Sequence, residues 1–224
     1  MWHFWIDRGG TFTDLVALSP EGRIVTRKLL SAHPERYKDA AIQGIRDVLG
    51  LAAGDPLPAD RIASVKMGTT VATNALLERQ GEPVVLVTTQ GFRDVLRIAY
   101  QNRPRLFDRN ILLPDRLERC VIEARERVDV HGNILVALDE DHVRAELQAA
   151  RDAGCTAAAI VLMHGYRYPA HEERIAAIAE ELGFQQVSVS NRVSPLMKIV
   201  GRCDTTLVDA YLSPVLGRYV RQVA

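Results

Sequence analysis

Apolar and polar residues alternate in three different rhythms along this chain. The first is short and β-like. "WHFWID", "TDLVALS" and "GRIVTRKLLS" are separated by a Gly-Gly turn and a Pro-Glu-Gly turn, which predicts an antiparallel meander of three strands. The second rhythm is helical. "RYKDAAIQGIRDVLG" puts Ala41, Ile42, Ile45, Val48 and Leu49 on one face, with Gly50 placed to end the helix. After a loop, "LAAGDPLPAD", a strand "IASVKMG" leads into a helix "TTVATNALLERQG" closed by Gly81, with Ala72, Ala75, Leu76 and Leu77 turned to the core. The unbroken apolar run "PVVLVTT" predicts a central strand covered on both faces.

Residues 91–119 are irregular and rich in arginine, with Phe92, Tyr100 and Phe107 between the cations. "CVIEARERVDVHGNILVAL" predicts a hairpin around His131, Gly132 and Asn133. The third rhythm is helix–strand alternation. The helices "DEDHVRAELQAARDAG" and "HEERIAAIAEELG" lead to the strands "TAAAIVLM" and "QQVSVS". A last amphipathic helix covers "CDTTLVDAYLSPVLGRYVRQVA", with Pro214 expected to interrupt it. A meander followed by alternation predicts an α/β fold with a mixed sheet and flanking helices. A soft boundary is expected near Leu138, without a flexible linker.

Composition narrows the function classes. Lys+Arg and Asp+Glu are equal at 28 each, so no basic excess draws the chain to nucleic acid. The longest apolar runs are too short to cross a bilayer, so no membrane partner is expected. "MWHFWID" lacks a basic region followed by a long apolar stretch and does not read as a signal peptide, so a cytoplasmic protein is expected. Cys120, Cys155 and Cys203 have no zinc-like spacing and read as free thiols.

The chemistry concentrates in "IDRGGTFTDLVAL", residues 6–18. Glycine permits a tight turn and lets a ligand approach the backbone, whose N–H groups can then point at phosphate oxygens. Thr11 and Thr13 add hydroxyl donors. Asp7, at a strand end, suits Mg²⁺, which takes oxygen ligands and keeps several waters. A carboxylate beside a phosphate repels it without a cation, so Asp7 and the metal belong to one hypothesis. Neither GxxxxGK[ST] nor GxGxxG is present. Turn chemistry alone leaves two readings open, a Gly-Gly hairpin or a phosphate-binding turn. In "GTTVATNALLER" a tight turn at Gly68, with Thr69 or Thr70 as cap, presents N–H groups that favour an anion, and an ordinary helix cap explains the same residues.

The long stretch "MGTTVATNALLERQGEPVVLVTTQGFRD" at 67–94, taken with "DRGGTFTD", resembles the N-terminal region of the hydantoinase/5-oxoprolinase family. The DRGG form, "YQNRPRLFDR" at 100–109, "VLMHGY" at 161–166 and "DAYLSPVLGRYV" at 209–220 resemble its ATP-dependent 5-oxoprolinase branch. The resemblance implies the first part of an actin-like ATPase (ribonuclease H-like) fold, in which a DxGGT turn is the first phosphate-binding loop. Asp7, Gly9, Gly10, Thr11 and Thr13 match that turn, and the Arg8 backbone belongs to it. It further implies ATP and Mg²⁺ as cofactors, with Asp7 on the metal and Asp7 and Thr11 in catalysis. Gly68, Thr69, Thr70 and Asn74 are expected to face the nucleotide.

The implied reaction opens 5-oxo-L-proline to L-glutamate, coupled to ATP hydrolysis. A lactam is resonance-stabilised and its nitrogen leaves poorly, so phosphorylating the carbonyl oxygen would make the carbon electrophilic. Hydantoinase relatives act on other cyclic amides, so the alternative readings are a hydantoinase-type subunit for another cyclic amide or a non-catalytic module that assembles with a second subunit. Arg103 and Arg105 are candidates for a substrate carboxylate by bidentate contact, with a solvated loop as the competing explanation. Fused 5-oxoprolinases are several times longer than this chain, and an actin-like ATPase needs two lobes. The expected partners are therefore a cyclic amide, the remaining lobe or a second subunit, and further copies in a homo-oligomer of the complete enzyme. The chain alone is expected to lack full turnover.

His164 and His171 flank "GYRYPA" without metal-binding spacing, the first read as buried and the second as a helix-start residue. Asp204 and Asp209 are read as helix-flanking or, in a complete molecule, cleft-facing.

Overall fold

A computed structural model describes residues 1–52, 54–102, 105, 107–111, 113 and 115–223, with the side chains of Gln222 and Val223 excepted. The described chain divides into two units. One comprises residues 1–80 and 215–224, the other residues 81–214. Leu138, near which a soft boundary was expected, packs against the core of the second unit.

In the first unit, β1 (Trp2–Arg8), β2 (Phe12–Leu18) and β3 (Ile24–Leu30) form the predicted meander. Helix α1 (Ala40–Leu49) then carries the chain to β4 (Ile62–Thr69), which pairs parallel with β1. The sheet order is β3-β2-β1-β4. Alternation decides the faces. Phe4, Ile6, Leu15 and Ala17 pack with Ala41, Ile45 and Leu49, whereas Trp5 and Asp7 point to the other side. Asp39 caps α1, accepting from the N–H groups of Ala41 at 2.8 Å and Ile42 at 3.1 Å. Gly50 ends it with φ of 69°, a conformation that glycine adopts readily.

Helix α2 (Val71–Leu77) is shorter than its sequence pattern suggested. Arg79 turns at φ 57°, before Gly81 is reached. Only Ala75 of the expected core face is buried, and Leu77 is 75% exposed.

The second unit holds β5 (Val84–Thr89), α3 (Val95–Ile98), β6 (Glu118–Ala124), β7 (Arg127–Val128), β8 (Ile134–Val136), α4 (Glu140–Asp152), β9 (Ala157–Val161), α5 (Ala170–Glu181), β10 (Gln186–Val189) and α6 (Ser190–Val193). Helix α7 (Ile199–Val223) contributes its residues through Pro214 to this unit. The second sheet is wholly parallel in the order β10-β9-β5-β6. β5 is central and every residue in it is buried, as the apolar run predicted. The two units thus carry a mixed sheet and a parallel sheet, each with flanking helices.

Two local expectations are corrected. The "CVIEA" part of the supposed hairpin is β6, a strand of the parallel sheet, so only the short β7–β8 pair remains as a hairpin. Pro214 does not interrupt the last helix, which begins earlier than expected and runs through it. A proline removes one helical hydrogen bond but leaves the flanking turns intact. Among the described residues, no helix is long and apolar enough to cross a membrane.

Candidate functional site

Parallel pairing of β1 with β4 brings the two sequence motifs side by side. Asp7 stands opposite Gly68, and Arg8 opposite Thr69. The Gly9–Thr11 turn closes through a bond from the Gly9 N–H to the Phe12 carbonyl at 3.0 Å. The Thr70 N–H donates to the Arg8 carbonyl at 3.2 Å, so α2 begins against the turn. Asn74, one turn into α2, covers Gly10. A Cβ on Gly10 would stand 2.8 Å from Asn74 Nδ2.

The turn is braced from beneath. The Ser31 N–H donates to the Thr11 carbonyl at 2.9 Å, and Ser31 Oγ donates to the Gly9 carbonyl at 2.8 Å. Thr13 is fully buried, and its hydroxyl completes the chain to Ser31 Oγ at 2.9 Å. Thr13 was expected to face phosphate; strand alternation turns it inward, where it shapes the turn. Ser31 escaped the sequence reading because a serine after a strand carries no distinctive signal.

What remains open on the turn is specific. The N–H groups of Gly10 and Thr11 have no acceptor among the described residues, and both residues are exposed. The Thr11 hydroxyl also lacks a partner there. Two adjacent backbone donors plus a hydroxyl make an anion-binding concavity.

Asp7 is exposed, and its register partner across β1–β2 is Asp14. Facing carboxylates repel. Lys28 relieves Asp14 through contacts of 3.0 and 3.2 Å, leaving Asp7 without an ion pair among the described residues. Gly68 places no side chain beside Asp7 on the neighbouring strand, although a Cβ there would make only ordinary contact with Asp7 Oδ1, at 3.9 Å. Gly68 was expected in a tight turn; it is instead an interior residue of β4, because pairing with β1 continues through Thr69. A single carboxylate suits Mg²⁺, which is commonly held by one or two carboxylates plus waters and phosphate oxygens. No cluster of three His, Cys, Asp or Glu residues suited to a metal occurs among the described residues.

The Arg8 side chain is engaged elsewhere. Its guanidinium binds Asp39 at 3.0 Å and lies over the Tyr219 ring, 4.4 Å from the centroid. It thus fastens the end of β1 to the residue that caps α1. Thr69 Oγ1 accepts from the Val71 N–H at 3.2 Å, and Thr70 Oγ1 accepts from Asn74 Nδ2 at 3.3 Å, so both threonines organise the start of α2. Arg105 is an exposed residue of the second unit, and Arg103 lies outside the described residues.

The second unit contains a buried ionic cluster that the sequence reading missed. Glu172 accepts from the Leu162 N–H at 2.8 Å, Ser190 Oγ at 2.6 Å and the Asn191 N–H at 3.1 Å. Arg202 lies 3.4 Å from it and donates to the carbonyls of Leu162 at 2.6 Å and Met163 at 3.0 Å. Burial raises the Glu172 pKa despite these donors. His171 binds Glu126 at 2.9 Å, and Thr89 donates to the same carboxylate. His164 is half-buried, and Asp209 accepts from Ser188 at 2.6 Å and Ser213 at 3.0 Å.

A family model described as the hydantoinase/oxoprolinase N-terminal region matches residues 3–183. This chain belongs to that family. Within it, the chain is 40% identical to 5-oxoprolinase 1 of Arabidopsis thaliana, over 97% of its own length and 19% of the relative's. Against the 5-oxoprolinase of Dictyostelium discoideum the figures are 39%, 97% and 20%. The hydantoinase/oxoprolinase architecture recurs in the crystal structure of an ATP-dependent caprolactamase from Pseudomonas jessenii. That likeness has a TM-score of 0.82 at 30% identity and covers 99% of this chain and 33% of that one. The chain therefore spans about a fifth of the length of these curated relatives.

Proposed function

We propose that this chain supplies the first phosphate-binding loop of an ATP-dependent 5-oxoprolinase, an amidohydrolase that opens 5-oxo-L-proline to L-glutamate. The observation that carries this reading is the exposed pair of N–H groups at Gly10 and Thr11, without acceptors among the described residues, together with the Asp7 carboxylate on the adjoining strand, which has no ion pair among them. ATP, when bound, supplies the phosphoryl group that activates the lactam carbonyl, and Mg²⁺ offsets the charge of its phosphates. The Gly10 and Thr11 N–H groups and the Thr11 hydroxyl would hold phosphate oxygens, and Asp7 would hold the metal directly or through its waters. Ser31 and Thr13 fix the turn beforehand, so no reorganisation is required when charge develops.

The proposed partners are a cyclic amide and the remainder of the enzyme, whether a second lobe or a second subunit. Trp5 and Val16, register partners on the sheet face away from α1, are each 40% exposed and offer apolar surface to such a partner. The deciding experiment compares ATP-dependent ring opening of 5-oxo-L-proline and hydantoin by the intact enzyme and its Asp7→Ala variant. Coupled release of glutamate and phosphate, abolished by the substitution, is expected. Undiminished ATP hydrolysis in the variant overturns the role of Asp7, and turnover of hydantoin alone overturns the substrate.

A further inference from the structure

Beyond β5 the chain passes through Asp94 into the short helix α3, and Tyr100 beyond it lies beside Gly201 in the first turn of α7. A cavity of about 630 Å³ opens there, within the second unit. This size falls within the range of small-molecule sites, roughly 300–1,000 Å³. Leu96, Ile111 and Leu113 supply apolar wall. Tyr100 reaches α7 beside Gly201, where a Cβ would make ordinary contact with its hydroxyl at 3.6 Å. One turn further on, Asp204 faces the same cavity.

Among the described residues, three charged side chains line this space: Asp94, Arg97 and Asp204. None has an ion-pair or hydrogen-bond partner among the described residues. Asp94 occupies the cap position of α3, yet its carboxylate makes no capping bond. Burial alone raises the Asp204 carboxyl above its usual range, with no donor or cation acting against it. Elsewhere in this unit, Arg93 binds Glu123, Arg144 binds Glu181 and Arg174 binds Glu140. All three residues are exposed at the mouth of the cavity, where a ligand that fills the apolar part can meet their charges.

We infer that this cavity binds a small amino acid, or the cyclic amide formed from one, with Arg97 holding the ligand carboxylate and Asp204 its N–H or ammonium group. The guanidinium fork matches a carboxylate. A lactam N–H or an ammonium is a donor for Asp204, and Asp94 adds negative charge favouring the ammonium form. The apolar wall accommodates the short hydrocarbon frame between the two polar groups. The identity of the ligand, and with it the choice of probes, rests on the oxoprolinase reading.

The test is calorimetric titration of the intact protein, without ATP, using 5-oxo-L-proline, L-glutamate and ε-caprolactam. Saturable binding of 5-oxoproline or glutamate is expected, weakened about tenfold or more by Arg97→Met and by Asp204→Asn. Caprolactam lacks the carboxylate, so any binding it shows should respond to Asp204→Asn and not to Arg97→Met. Melting temperatures of the variants should match the parent, because both side chains are exposed and neither has a partner among the described residues. Absence of saturable binding, or affinities unchanged in both variants, overturns the inference. If 5-oxoproline is turned over with an unaltered KM in both variants, the cavity assignment fails while the proposed reaction stands. If binding depends on both residues but no ATP-coupled turnover occurs, the reverse holds.

Discussion

Asn74 lies over Gly10 so closely that a methyl group on the glycine would meet its amide nitrogen at 2.8 Å. The contact joins the two motifs that pairing of β1 and β4 brings together. Gly10→Ala must displace the Asn74 amide or the turn itself. Gly10 is exposed, so stability should change by less than about 1 kcal/mol. ATP-dependent turnover should fall by about 10²-fold, since small misplacements at a reacting group are costly. Adding Asn74→Ala should recover part of that loss. Steady-state kinetics and thermal melts on the single and double variants check this; no recovery would falsify the steric explanation.

Ser31 makes three contacts that hold the turn, two to its backbone and one to Thr13. Ser31→Ala strands the Gly9 carbonyl and the buried Thr13 hydroxyl without their partner. The expected cost is about 1–3 kcal/mol in urea unfolding of the intact protein. ATP affinity should weaken as well, although residue 31 is not expected to touch the nucleotide. A stable variant with unchanged ATP binding would show that the turn holds its shape without this brace.

The meander, the helix at residues 40–49 and the buried central strand were legible because each rests on local periodicity. Residues 118–124 were harder. Their pattern suits a hairpin strand, and only pairing with β5, remote in sequence, places them in the parallel sheet. The glycines and Asp7 of the opening turn were legible as chemistry, but Thr13 was assigned to a ligand when alternation buries it. Nothing local marks Ser31 as the brace. Asp39 stands before a helical run, a recognisable cap signal, yet its second role toward Arg8 depends on tertiary contact. Glu172 and Arg202 were missed for the same reason, since their pairing joins α5 to α7.

Breaking that pair gives a graded outcome. Arg202→Met leaves Glu172 buried without its cation and should cost about 3–5 kcal/mol. Glu172→Gln should cost less, because the amide oxygen still accepts from Leu162 while Arg202 keeps both carbonyls. Chemical unfolding of the two variants reads the order directly. An equal or reversed order would mean that the carbonyl contacts, not the carboxylate, govern the arginine.

The thiols should differ sharply in reactivity. Burial pushes Cys203 up to about 12, and burial with the neighbouring Cys120 sulfur at 3.8 Å pushes Cys155 to about 12. At pH 8 roughly 10⁻⁴ of either would be thiolate, the form that alkylates. Cys120 is only half-buried. Iodoacetamide at pH 8 should therefore modify Cys120 first and spare the other two until denaturant is added, as read by peptide mass spectrometry. Early labelling of Cys203 in the native protein would contradict its enclosure.

Acid should loosen the segment after β5 through Glu123. Its carboxylate accepts from the Gly91 N–H at 2.8 Å and from Arg93 at 3.2 Å. Chiefly through the Gly91 bond, its pKa lies below the ordinary 4.5. The folded state thus binds this proton less readily than the unfolded chain does. The stabilisation is fully present above about 4.5 and is lost as pH falls through the lower, folded value. Glu123→Gln keeps an acceptor for Gly91 but has no charge to titrate. Between pH 6 and 3, amide exchange at Gly91 should accelerate relative to its intrinsic rate in the parent, and much less in the variant. Parallel acid profiles would show that another carboxylate holds this segment.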